Sequence, residues 1–321
     1  MAYDALSQQL LHLGGGHSSY FGNDVAHFDT TQAMWSVSYR PQFALDFNYD
    51  LSGPGPWAFN GGPWGNHNYH AYGFDIARKR LVFIRNEYTH FYHPQLRAWQ
   101  ASERLDNNPF FGSKYTSYLV STPQGVVVWA FQPGSTSVSG IWRLGTRGWT
   151  ELKTSGDPLP RPVTDGSTIT YDSQRNQLLL TTTTGEKDVP HSGQVWACNL
   201  ANGTIRKLNP TGRELLVVKR FARESVYLPQ LDRVLLGYHF RKQNQLPVYN
   251  IEKNCWELAH VPGSEFFVRA DEGTSVDLGL QYDAQRELVW AVMCKLHPGS
   301  VQVLRVDTDL SLSEIADEPP Q

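Results

Sequence analysis

Cysteine is scarce in this chain of 321 residues: there are three, Cys198, Cys255 and Cys294, far apart and with no CxxC or Cys/His spacing. A disulfide scaffold and a cysteine-based zinc site are therefore not indicated, and buried free thiols on strands are expected. Methionine is equally scarce, at three. No run of basic residues exceeds a few positions, the densest being Ala77-Arg-Lys-Arg80, and the formal net charge is −3. That balance lacks the footprint of a nucleic-acid binder. No apolar run is long enough for a membrane-spanning helix. The opening stretch, MAYDALSQQLLHLGGG, has no basic start followed by an apolar core, so no signal peptide is read from it. The compartment stays open, a piece of a larger exported protein included. Capped helical periodicity is almost absent.

Aromatic residues are plentiful, with 10 Trp, 15 Tyr and 15 Phe. Together with the β-branched residues they favour strands. One phrase recurs: an aromatic-Asp pair, a few polar residues, then an apolar run. It reads AYDALSQQLLHL, GFDIARKRLVFI, TYDSQRNQLLLT, VYLPQLDRVLLG and QYDAQRELVWAV, with a weaker copy in YLVSTPQGVVVWA. The markers Tyr3, Phe74, Val120, Tyr171, Tyr227 and Tyr282 are spaced by 71, 46, 51, 56 and 55 residues. After the first, the period is near that of a four-stranded propeller blade. In each copy a tight turn follows the aromatic-Asp, and a continuous apolar run reads as a strand buried on both faces. A third, alternating run follows (DVAHFD, SGIWRL, QVWACNL, VQVLRVD). A short fourth carries Trp35, Trp99, Trp149 or Trp256.

The first copy carries a more specific pattern: the apolar strand Leu10–Leu13, the glycines Gly14–Gly16, Asn23-Asp24 before the third strand, and Trp35 in the fourth. It resembles the kelch repeat of galactose-oxidase-type β-propellers. The resemblance implies an all-β, six-bladed kelch-like propeller as a single domain over residues 1–321. A seven-bladed ring with an incomplete first blade is the alternative. It also implies that Trp35 packs between blades and that glycine supplies positive φ. Because Met1 lies two residues before Tyr3, the inner strand of blade 1 is expected to be nearly absent, with a segment around Ser311–Ile315 closing that blade or an upstream piece missing. A Gly-, Pro- and aromatic-rich insertion at about 39–68 interrupts the period and reads as a long, functional loop.

Propellers bind at a central face, through loops entering the inner strands. There the sequence offers His67, His70 and Tyr72 in blade 2, Arg161 and Asp165 in blade 4, Arg220, Arg223 and Glu224 in blade 5, and Arg269 and Asp271 in blade 6. His67/His70 and Arg220/Arg223 hold the same register, seven and four residues before the marker, and six blades would set them across the channel. Such residues can instead bond carbonyls of the next blade. Their functional reading is carbohydrate recognition, with Trp57 and Trp64 stacking on sugar faces, His90 after the second strand of blade 2 toward the central surface, and His17 in a turn or at a ligand-facing rim. A lyase of acidic polysaccharide would use His67, His70 or Tyr72 for proton transfer and Arg220 or Arg223 as a carboxylate clamp. A protein-interaction scaffold using rim loops is the third reading. His90 and His93 have only weak ligand spacing; no metal and no cofactor is expected, and the copper site of galactose oxidase has no counterpart residues. Expected partners are a carbohydrate or other small polar ligand, or a protein, with no nucleic acid and no membrane.

Overall fold

The computed structural model describes residues 1–14, 22–42, 62–63, 70–85, 88–100, 105, 117–131, 138–163, 166–182, 193–216, 224–237, 245–260, 278–294, 301–307 and 312–313. They form two compact units, Met1–Lys153 and Thr154–Gln321.

The first unit holds three antiparallel four-stranded sheets. Blade 1 is β1 (Ala2–Asp4), β2 (Gln9–Leu13), β3 (Val25–Asp29) and β4 (Met34–Val37). Blade 2 is β5 (Tyr72–Asp75), β6 (Arg80–Arg85), β7 (Tyr88–His93) and β8 (Ala98–Trp99). Blade 3 is β9 (Tyr118–Thr122), β10 (Gly125–Phe131), β11 (Ser139–Leu144) and β12 (Trp149–Glu151). The inner strand β1 lies beside β5, and β5 beside β9.

The second unit begins with β13 (Ser155–Gly156). Blade 4 follows as β14 (Ser167–Asp172), β15 (Gln177–Thr182), β16 (Gln194–Asn199) and β17 (Thr204–Lys207). Blade 5 is β18 (Glu224–Leu228), β19 (Arg233–Gly237), β20 (Gln245–Asn250) and β21 (Cys255–His260). The last sheet is β22 (Leu278–Asp283), β23 (Leu288–Cys294) and β24 (Val301–Asp307), and β25 (Leu312–Ser313) follows. Inner strand β14 lies beside β18, and β18 beside β22. A 3-10 turn, Arg213–Leu216, is the helical element among the described residues.

Five sheets thus have the four or more strands of a complete blade, rather than six or seven. The sixth marker does start a sheet, but it has three strands among the described residues. The marker period counts inner hairpins, which are local, and not the outer strand that completes a blade. Blade 1 also corrects the expectation from the chain start: β1 is present and pairs Tyr3 with Leu10. The strand near residue 312 does not close blade 1. It pairs with β21, Ala259 opposite Leu312.

The aromatic-Asp phrase builds its turn by one rule. Asp4, Asp75, Asp172 and Asp283 are buried at the end of the inner strand. Each carboxylate accepts backbone N–H groups from the turn that follows: Leu6 and Ser7, Arg78, Gln174 and Arg175, Gln285 and Arg286. A carboxylate in this position mimics a backbone turn. In three copies the arginine three residues on returns to the aspartate, as in Arg78–Asp75 at 2.7 Å and Arg175–Asp172 at 3.1 Å. Four residues after the aspartate position the chain takes left-handed φ, at Gln8, Lys79, Asn176, Asp232 and Glu287.

The second strands are buried on both faces, as their unbroken apolar runs require; β10 and β15 are buried throughout. Val126, Val128, Trp142, Trp149, Val82 and Phe91 make one core of the first unit. Leu179, Val195, Leu235, Val248, Tyr249 and Trp256 anchor that of the second. The Trp of the fourth strand is a wedge whose indole N–H donates backward to the preceding blade: Trp99 to the Tyr39 hydroxyl (2.7 Å), Trp149 to Thr89 Oγ1 (2.9 Å), Trp256 to the Gly193 carbonyl (2.8 Å). Trp35 departs from that rule. It is half-buried and packs on Phe28 of its own sheet, with ring centroids 5.0 Å apart.

Candidate functional site

Within each blade both hairpin turns fall at one end of the sheet. The segments that enter the inner strand and leave the second strand fall at the other. At this loop-bearing end in the first unit the strands bring together His12 (β2), Tyr72 (the first residue of β5), His70, and Tyr118 (the first residue of β9). His12 Nδ1 is 3.2 Å from the Tyr72 hydroxyl, and the rings meet edge-on at 73°. Burial lowers the His12 pKa to about 4, helped by the positive chain terminus and opposed by a hydrogen bond with the Gly14 backbone. The imidazole is therefore neutral at physiological pH and can exchange a hydrogen bond with the phenol in either direction. Gly14 itself has φ +73°, the left-handed conformation expected of the glycine run.

His70 is buried and stacks on Tyr118, with centroids 4.6 Å apart and planes 21° from parallel. Its carbonyl accepts the Leu119 N–H at 3.0 Å, tying the entrance of blade 2 to the inner strand of blade 3. Tyr118 continues onto Trp129 at 5.6 Å. His90 is buried between Phe83, Tyr88 and Trp99. His93 reaches Gln100 Oε1 at 3.3 Å, at the turn end of β7. The alternation of a strand sends these two histidines to opposite faces. Among the described residues no group of three or more His, Cys, Asp or Glu is placed to hold a metal ion.

A second polar cluster joins blades 1 and 2. His27 (β3) is buried; its Nδ1 lies 2.7 Å from Gln9 Oε1 and its Nε2 lies 2.7 Å from the Tyr92 hydroxyl and 2.9 Å from Ser38 Oγ. An amide oxygen only accepts, so Nδ1 carries the proton and Nε2 accepts; the Ser38 hydroxyl donates to the Val25 carbonyl (2.7 Å), which leaves Tyr92 as the donor to Nε2. Tyr92 and Ser38 also bond each other. Burial, then the charge of Arg97, lowers the His27 pKa to about 4, and burial raises that of Tyr92 to about 12. Both groups are neutral and act as a fixed hydrogen-bonded pin. Neither this pin nor His12 stood out in the sequence. The available signal was the alternation of VAHFD, which puts His27 on the same strand face as Val25.

Of the other predicted residues, Arg161 is described and exposed. Glu224 opens β18, and its Oε2 accepts the Leu280 N–H at 2.6 Å, bonding the next inner strand's backbone. This carboxylate thus ties neighbouring inner strands by accepting a backbone N–H. His17, Trp57, Trp64, His67, Asp165, Arg220, Arg223, Arg269 and Asp271 lie outside the described residues. Asn23 of the kelch-like motif clasps the chain leaving blade 1: its Oδ1 accepts the Gln42 N–H at 2.9 Å and its carbonyl accepts the Tyr39 hydroxyl. Cys198 and Cys255 are free thiols, the first buried and the second half-buried.

No protein-family model and no curated protein matches the sequence. Solved structures do. A protein described as a TolB from Agrobacterium tumefaciens is similar with a TM-score of 0.51 at 11% identity, over 92% of this chain and 89% of that one. A chain of a nidogen/laminin complex is similar with a TM-score of 0.44 at 9% identity, over 78% of this chain and 74% of that one. The sheets and the TolB likeness make this an all-β protein of the β-propeller class. At 11% identity the likeness extends to the fold alone.

Proposed function

We propose that this β-propeller is a recognition module, that its ligand sits at the loop-bearing ends of the inner strands, and that the ligand is a carbohydrate. The observation that carries the reading is the asymmetry between the two ends of the first unit. One end is closed by self-satisfied aspartate turns. The other gathers His12, Tyr72, His70 and Tyr118, hydrogen-bonding groups set among aromatic rings. Neutral donors and acceptors with ring faces suit hydroxyl-rich rings. The composition of the insertion, with Trp57 and Trp64, supports the same ligand class, as does the kelch-like motif of blade 1.

The test is a glycan-array screen followed by calorimetry on any hit. A saturable ligand whose affinity falls about tenfold in Tyr72→Phe and in His12→Ala supports the reading. A ligand indifferent to both variants, or hits confined to proteins, overturns it and favours the interaction scaffold. One observation supports a lyase as a second reading: a neutral imidazole within bonding reach of a phenol is competent for proton transfer. In that reading His67, His70 or Tyr72 serves the proton. New absorbance from unsaturated ends on acidic polysaccharides would establish it, and a silent panel would remove it.

A further inference from the structure

The outer strand of blade 4 carries an extra, parallel strand and that of blade 5 a single parallel bridge at the matching position, and the same backbone groups in blade 1 are open. In blade 4 the segment before the blade lies parallel to β17, Ser155 opposite Thr204 and Gly156 opposite Ile205. The Ser155 N–H donates to the Gly203 carbonyl (3.1 Å) and the Asp157 N–H to the Ile205 carbonyl (3.1 Å). In blade 5 Thr211 lies parallel to Cys255. The Thr211 N–H donates to the Asn254 carbonyl (3.2 Å), and the Trp256 N–H donates to the Thr211 carbonyl (2.9 Å). Gly203 and Asn254 are the left-handed residues of the outer turns, and Ile205 and Trp256 stand two residues later. Both segments, Ser155-Gly156 and Thr211-Gly212, carry a hydroxyl residue followed by glycine at positive φ. A Cβ on Gly156 would come within 2.4 Å of the Ile205 carbonyl oxygen, and one on Gly212 within 2.6 Å of that of Trp256.

Blade 1 repeats this outer turn. Ala33 is its left-handed residue, and Trp35 stands two later. The ladder bond from the Ser38 N–H to the Val25 carbonyl fixes the alternation, with His27 opposite Ser36 and Phe28 opposite Trp35. Trp35 therefore directs its N–H and C=O away from β3, as Ile205 and Trp256 do from their neighbours. Among the described residues nothing pairs with these groups or with the Ala33 carbonyl. Arg97 closes only the far end of the edge, through the Val37 carbonyl (3.3 Å) and Ser36 Oγ (3.4 Å). Met34 is 58% and Val37 53% exposed.

The geometry points to β4 as a docking edge for an extended peptide of a partner protein. The peptide adds parallel to β4 and carries Ser-Gly or Thr-Gly, with the hydroxyl residue opposite Met34 and the glycine opposite Trp35. The Ala33 carbonyl and the Trp35 N–H and C=O supply the ladder, as in strand addition generally. Glycine sets the specificity, because any side chain there meets the Trp35 carbonyl.

A capped synthetic peptide copying residues 152–158, and a second copy with alanine in place of its glycine, test this on the full chain. Fluorescence polarisation should show the glycine peptide binding with a dissociation constant on the order of 100 μM and the alanine peptide at least about tenfold weaker. Amide exchange should slow at Trp35 on addition of the glycine peptide. Trp35→Pro removes the outward N–H at an edge that tolerates proline and should weaken binding about tenfold. If that variant does not fold, the alanine peptide and the exchange map still decide. No binding at about 1 mM, equal binding of the two peptides, protection at residues 204–206 instead of 33–37, or occupation of β4 by a second copy would each overturn the proposal.

Discussion

The two compact units use one hairpin grammar and stabilise it differently. In the second unit three left-handed turn residues are Asn or Asp, and tyrosines five positions earlier bond to them: Tyr171 to Asn176 (3.1 Å), Tyr227 to Asp232 (2.9 Å), Tyr249 to Asn254 (2.7 Å). Turns of adjacent blades are then tied by Arg175 to both oxygens of Asp232 (2.7 and 2.6 Å) and by Gln174 to the Pro229 carbonyl. This lowers the Asp232 pKa and raises that of Arg175. In the first unit the same positions hold Gln8, Ala33, Lys79 and Arg97, residues with no special tolerance for positive φ. What that unit has instead is histidine: seven of the eleven in the chain fall before residue 94. His12, His27, His70 and His90 are built into its strands and blade entrances. The comparison teaches that one unit places its polar groups in turns, where they fix the chain. The other places titratable rings within and between its blades and at the loop-bearing end.

Removing the strand added to blade 4 should have the largest effect at neutral pH. Gly156→Ala drives a Cβ against the Ile205 carbonyl at positive φ, and should cost about 2 kcal/mol or more in chemical denaturation. Ala33→Gly, at an open edge of the first unit, should stabilise instead.

Acid should separate the units next. The folded-state pKa values of His12 and His27 lie below the ordinary 6.5, so the unfolded chain binds protons first as the pH falls. Their contribution is whole above pH 6.5 and is lost as pH falls from there toward 4, by up to about 3 kcal/mol for each. Urea melts over that range should flatten in His27→Gln. Amide exchange should rise in β2 and β3 before β15 and β19.

Smaller effects sharpen the turn comparison. Lys79→Gly should stabilise by about 0.5–1 kcal/mol, because it relieves left-handed strain and removes no described bond. Asn176→Gly should gain nothing, because the Tyr171 bond is lost with the side chain. Arg175→Ala should change stability by less than about 1 kcal/mol despite its two-pronged contact, since that pair is solvent-exposed. Thermal melts of the three variants would rank them.

The inner hairpins were legible in the sequence because their determinants are local. A buried Asp bonds N–H groups two and three residues ahead, and a Trp at a fixed offset fills the seam behind it. The blade count and the added strands were not legible. Ser155-Gly156 and Thr211-Gly212 look like loop residues, and their pairing partners lie more than 40 residues away. Of the candidate residues, His70 was singled out by its register four residues before the marker and Tyr72 by its place two residues before it. Their companions His12 and Tyr118 were not, because it takes the packing of β5 against β1 and β9 to bring them together. Glu224 shows the converse: its position suggested a ligand contact, and the Leu280 backbone takes up its Oε2.

The central claim is that the first unit keeps neutral imidazoles hydrogen-bonded to phenols. Nitrogen-resolved NMR of the histidine side chains across pH 3–8 tests it most directly. His12 and His27 should stay neutral through pH 6 and titrate near pH 4, with the His27 proton on Nδ1. Titration of both near pH 6.5, with the two tautomers interchanging, would contradict it.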